Sequence, residues 1–271
     1  MLTAEKVTDQ SEMIIETMLE VSNMLSSIPK DITPAEGSSM VAHASAANLG
    51  RLDPFREEKS RYNALALKAY PFLRAYIDQS DDPLFAAVRV AALGNALDLS
   101  VIKGLEIEDL LKAVPKTTLA IDDMDELRQD IASAQRILYL GDNAGEIIFD
   151  RALIETLPPG RVTFAVKSGP VFNDITREDF VQSGLVGVAE IVETGSNFAG
   201  APLNRCSAEF LDHFWSADVI ISKGQANFET LDNVDANIYF LLKVKCGCVA
   251  RELGVEIGDS VLWKGVVARI K

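Results

Sequence analysis

Three short stretches of this chain hold residue types that could do chemistry together. The first reads Gly141-Asp142-Asn143-Ala144-Gly145-Glu146. A carboxylate followed by an amide offers two hard oxygen donors of the kind favoured by Mg²⁺ or Mn²⁺, ions that retain waters and bridge to phosphate oxygens. The two glycines allow a tight turn and close approach of a ligand, and a helix starting near Ala144 would turn free N–H groups toward an anion. Asp and Asn ahead of a helix are also ordinary caps, so this loop alone decides nothing. The second stretch runs from Lys167 to Asp174 and adds another acid. The third, Ser222-Lys223-Gly224-Gln225-Ala226-Asn227, adds a lysine able to meet a phosphate oxygen as a point charge and an amide able to donate to it. A carboxylate, amide and carboxylate set from Asp142, Asn143 and Asp174 could hold one divalent cation, and three such loops converging is more economical than three unrelated caps.

Convergence requires elements that bring these loops to one place. Each stretch follows a short apolar run: RILYL before Gly141, VTFAV before Lys167 and VII before Ser222. From Arg136 onward such runs alternate with helical stretches, ending in Ile238 to Lys245, a short helix at Val249 to Leu253 and a last strand at Ser260 to Lys264. That alternation predicts parallel βαβ units in a doubly wound, mostly parallel, Rossmann-like sheet. Ligands of such sheets sit beyond the C-terminal strand ends, where all three loops lie. The first half reads differently. Helical spacing is expected over residues 11 to 26, over Arg56 to Ile77 with Pro71 kinking or splitting it, and over Asp82 to Leu97. Residues 31 to 53 show little period. The expected organisation is α/β, with an N-terminal all-helical region (1–130) packed on a C-terminal α/β region (131–271).

The ordered segments GDNAGEIIFD, KSGPVFNDIT, SKGQANFETL and LLKVKCGCVARELGV, preceded by DPFREEKSRYNALAL and DDPLFAAVRVAALGNALDL, are the ones to compare with known families. Together they resemble domain of unknown function 89, the metal-dependent damage-control phosphatases, in its compact prokaryotic-type branch. The resemblance runs from about Asp53 to the C-terminal end. It implies one divalent ion (Mg, Mn, Co or Ni) on Asp142, Asn143 and Asp174, and roles near phosphate for Lys223, Asn227, Asn95 and Asp98. Gly145, Glu146 and Lys167 complete the residues expected to face the substrate. The implied activity is hydrolysis of a phosphate ester of a small metabolite: a sugar phosphate, a nucleotide-like product or a phosphopantetheine derivative. The ion would contact a phosphoryl oxygen and order the attacking water. The branch's N-terminal Cys-x-x-Cys pair is absent, since the chain opens MLTAEKVTDQSEMII, and no role for it carries over.

Composition narrows the alternatives. A formal charge of −14 repels polyphosphate backbones, which argues against nucleic acid as a partner. No apolar run approaches the roughly 20 residues that cross a bilayer. Three cysteines, Cys206, Cys246 and Cys248, and a polar start predict free thiols and a cytoplasmic address. His213 and His43 read as packed or surface residues. Two other functions stay open: a non-catalytic metal or phosphometabolite binding protein, and an S-adenosylmethionine-dependent methyltransferase, whose cofactor would use the Gly141 to Glu146 loop. Oligomeric state is left open.

Overall fold

The computed structural model describes residues 11–96, 109 and 112–265. Asp98, one of the expected substrate residues, lies outside them. Among the described residues, the first helices are α1 (Ser11–Leu25), α2 (Pro34–Asn48), α3 (Arg56–Asp78) and α4 (Pro83–Ala96). A strand, β1 (Leu119–Asp122), and a helix, α5 (Met124–Ser133), follow. The alternating part then runs β2 (Ile137–Leu140), α6 (Glu146–Ile154), β3 (Val162–Val166), α7 (Arg177–Ser183), β4 (Glu190–Glu193), α8 (Ala208–Ser216), β5 (Val219–Lys223), α9 (Gln225–Leu231), β6 (Ile238–Lys243), α10 (Gly247–Leu253) and β7 (Ser260–Lys264).

All seven strands form one sheet in the order β1-β7-β6-β5-β2-β3-β4. The five strands from β6 to β4 are mutually parallel, and β7 runs antiparallel to β6 with β1 parallel to β7. The chain winds outward from β2 through β3 to β4, then returns to β5 on the other side. The β2/β5 boundary is therefore the point where connections diverge and leave a crevice.

The period-two pattern of the strands explains the two layers. In β2, Ile137 and Tyr139 join the core shared with α3, α4 and α6, while Leu138 and Leu140 join the one shared with α8 and α9. In β6, Tyr239 and Leu241 face the first layer and Phe240 and Leu242 the second. Helices α4 and α6 approach so closely that a Cβ at Gly94 would lie 2.8 Å from Phe149 Cβ.

Three expectations are corrected. The featureless segment before Asp53 contains α2, opened by a capping box in which Thr33 and Glu36 bond reciprocally. Of the two readings of Pro71, the split is excluded, since α3 runs unbroken through it. The stretch before residue 130 is not all helical, because β1 belongs to the sheet at its edge. No helix among the described residues is long and apolar enough to cross a membrane, and the three cysteines are free thiols.

Candidate active site

The loops after β2 and β3 are strapped together by backbone. Ala144 N donates to Asn173 O (2.9 Å) and Ile175 N to Asp142 O (3.0 Å), while Asn143 and Asp174 form an isolated antiparallel bridge. Asp142, Asn143 and Asp174 are thus neighbours, as expected. Gly141 must lack a side chain, because a Cβ would meet the Phe164 ring at 2.6 Å. On the other side of the crevice, Gly224 (φ 79°) follows β5, and a Cβ there would overlap the Asp142 carboxylate.

Around Asp142 the polar atoms interlock. Its Oδ2 accepts from Asn95 Nδ2 (3.2 Å) and Asn143 Nδ2 (2.8 Å). The same two amides donate to Glu146, Asn95 to Oε2 (2.9 Å) and Asn143 to Oε1 (2.9 Å). Asn95 is held in turn by Lys243 N, which donates to its Oδ1 (2.8 Å). Asp142, Glu146, Asp174 and Asn95 are all buried. Burial raises the Asp142 carboxyl, raises Asp174 to about 7, with Asp142 adding repulsion against the pull of Lys167, and raises Glu146 to about 8, with Asp142 again adding repulsion.

Several expected substrate contacts are placed differently. Lys223 is fully buried, with its Nζ 2.6 Å from Asp150 Oδ1, donating to Ala91 O (3.1 Å) and 3.7 Å from Glu146 Oε2. It stands behind Glu146, not at the mouth of the crevice. Burial opposes its charge, but Asp150 and Glu146 outweigh that and raise its pKa. Lys167 donates to Gly200 O and sits 3.6 Å from Asp174 Oδ2. Asn227 Nδ2 bonds Gly141 O (3.2 Å) and Lys223 O (2.8 Å), tying the first and third loops. The Gly145 N–H donates to Asn63 Oδ1 (2.7 Å), so it does not point at a ligand.

Lys245 escaped the sequence reading. It is exposed, and among the basic groups it pulls hardest on Asp142. Its signal was position: it follows β6, the strand beside β5, at the same end of the sheet.

The residues fit a divalent cation. Among the described residues no three His, Cys, Asp or Glu side chains cluster as a metal site, but the third donor here is the amide of Asn143. Asp142 repels both Glu146 and Asp174 in this buried site, and Asp174 Oδ2 has no hydrogen-bond partner, only the Lys167 ammonium 3.6 Å away. Such groups call for a compensating positive charge. A cavity of about 140 Å³ lined by Arg136, Arg161 and His213 lies at the opposite strand ends and includes none of these residues.

Comparisons with known proteins identify the family. The model of the damage-control phosphatase ARMT1-like domain matches residues 2–261. A damage-control phosphatase of Pyrococcus horikoshii is 40% identical over 238 residues, covering 85% of this chain and 81% of that protein. A damage-control phosphatase of Archaeoglobus fulgidus is 34% identical over 221 residues, covering 79% and 76%. The crystal structure of a DUF89 family protein from Pyrococcus horikoshii superposes with a TM-score of 0.90 at 36% identity, covering 97% of this chain and 94% of that one. With most of its length matched by the family model and by relatives of this identity, the chain belongs to the damage-control phosphatase family.

Proposed function

We propose that this protein is a divalent-metal-dependent phosphatase that hydrolyses phosphate monoesters of small metabolites, with Asp142, Asn143 and Asp174 holding the ion. The observation that carries this reading is the set of buried acids at the sheet's switch point, with the pKa values of Glu146 and Asp174 raised to about 8 and about 7 and Asp174 Oδ2 lacking a hydrogen-bond partner. The all-oxygen donor set favours Mg²⁺ or Mn²⁺, with Co²⁺ and Ni²⁺ as further candidates. When bound, the ion would neutralise phosphoryl charge and help activate water.

The chain's own residues have separable parts in this reading. Glu146 and Asn95 hold the Asn143 and Asp142 side chains in register from behind. Lys245, exposed and acting electrostatically on Asp142, is the cation assigned to meet an incoming phosphoryl group. Lys223 acts from below, neutralising Glu146 and Asp150 instead of touching substrate. Sugar phosphates, nucleotide-like products and phosphopantetheine derivatives remain the substrate classes to try, because the residues described here recognise the phosphate and not the leaving group.

The test uses metal-stripped protein, an aryl phosphate and a panel of phosphometabolites, with each divalent ion restored in turn. Wild type should release phosphate only with metal, and Asp142→Ala should lose at least about 100-fold in kcat/KM. Metal binding by folded wild type without phosphate release from any substrate would favour a binding protein. The methyltransferase alternative gains nothing from the structure, since in the loop its cofactor would use the Gly145 N–H is already engaged by Asn63.

A further inference from the structure

Helix α3 buries one stripe against α4, α6 and α7: Lys59, Tyr62, Asn63, Ala66, Ala69, Leu73 and Ile77 recur at helical spacing. Two members of that stripe are polar, and both are almost wholly enclosed, Asn63 at 1% and Lys59 at 3% exposure. Apolar side chains would suffice for packing there, so what these two bond to matters.

Both ends of the Asn63 amide are engaged. Its Oδ1 accepts from Gly145 N (2.7 Å), and its Nδ2 donates to Asp179 Oδ1 (2.9 Å) and Gln182 Oε1 (3.0 Å). That pattern of one acceptance and two donations admits only one orientation of the group. Gly145 (φ 81°) is the turn residue between Asn143 and α6, so Asn63 grips the backbone of the first candidate metal loop. Asp179 reaches the second loop: its Oδ2 accepts from Thr176 N (2.9 Å) and Thr176 Oγ1 (2.8 Å), two residues after Asp174. Lys59 closes the set, 3.3 Å from Asp179 Oδ2 and 3.1 Å from Asp53 Oδ2.

We propose that Asn63, backed by the Lys59–Asp179 ion pair, is a positioning residue for both metal-bearing loops, so that the helical layer sets how tightly the protein holds a divalent cation. This rests on the metal reading above. Asn63 bonds none of the three candidate ligand side chains and acts through backbone and Asp179 alone. Fixing supports of this kind changes metal affinity without changing the donor set. The two loops are already strapped to each other, so anchoring each to one helix orients them as a unit.

The experiment is calorimetric titration of Mn²⁺ into metal-stripped protein, with thermal unfolding of each variant recorded in parallel. Asn63→Ala should raise the Mn²⁺ Kd by about tenfold or more. Leu73→Ala, a truncation in the same buried stripe, should lower the melting temperature and leave the Kd within about twofold of wild type. If Asn63→Ala does not fold, Asn63→Asp decides: it places two carboxylates face to face and should weaken Mn²⁺ binding, and adding Asp179→Asn should recover part of it. A folded Asn63→Ala protein with wild-type affinity would overturn the proposal while the metal reading stands, as would an equal loss in Leu73→Ala. Absence of Mn²⁺ binding by wild type would overturn both.

Discussion

Glu146 and Asp174 are acids whose protonated forms the fold favours, at about 8 and about 7 against ordinary values of 4.5 and 3.8. An acid whose pKa is raised by folding contributes stability that is fully present below its unfolded value and is lost as pH rises through its folded value. Metal-free protein should therefore lose several degrees of melting temperature between about pH 5 and about pH 8. Saturating Mn²⁺ should flatten that slope by favouring the ionised forms, and Glu146→Gln should reduce it without metal. Thermal scans across this range check it, and a metal-free melting temperature that stays level or climbs would defeat the assignment. At this scale the sequence offered the candidate donors and not their partners. Asp142, Asn143 and Asp174 were readable because each follows a strand that an alternation of apolar residues marks out. The engagement of the Gly145 N–H was not, because Asn63 lies 82 positions earlier in a helix whose period advertises only burial.

Lys223 joins three elements with one ammonium group. It sits at the end of β5, pairs with Asp150 of α6, and donates to the Ala91 carbonyl of α4, while Tyr139 of β2 shares Asp150 Oδ1 (2.8 Å). A buried ion pair adds little over an apolar substitute, but removing one partner leaves the other charged and unsolvated, at a cost of about 3–5 kcal/mol. Lys223→Met should thus lower the melting temperature by about 10 °C, and adding Asp150→Asn should restore part of it. If Lys223 instead gripped substrate directly, the single variant would lose kcat/KM with its melting temperature unchanged, so unfolding and kinetics together separate the roles. The sheet from β2 onward was legible because its strands are apolar runs bounded by glycine and polar loops. Helix α2 was not, since Pro34–Asn48 is largely Ala, Ser and Gly, whose small side chains give almost no hydrophobic period. Strand β1 was missed because it has only four residues, alternately half-buried and exposed at an edge.

Across the whole molecule the formal charge is −14, and the substrate proposed for it is itself an anion. The long-range field opposes approach, while in the proposed reading the local field at the crevice would be made favourable by a bound cation and by Lys245. The two have different reach. Charges more than about 10 Å apart are screened at 0.1 M salt, whereas contacts within the site are screened far less. Salt should therefore remove the repulsion first, and at saturating metal kcat/KM for a phosphomonoester dianion should rise a few-fold between about 10 and 150 mM KCl. Lys245→Gln should lower kcat/KM at every salt concentration and steepen its rise, because the global repulsion would then act with less local opposition. A monotonic fall with salt in wild type would mean that local attraction governs encounter, and the −14 would have no bearing on capture. The sign of the global field could be read by summing the sequence, but the balance at the site could not. It depends on Lys167, Lys223 and Lys245 arriving at the same end of the sheet, after β3, β5 and β6, two of them locked in buried pairs and one left exposed.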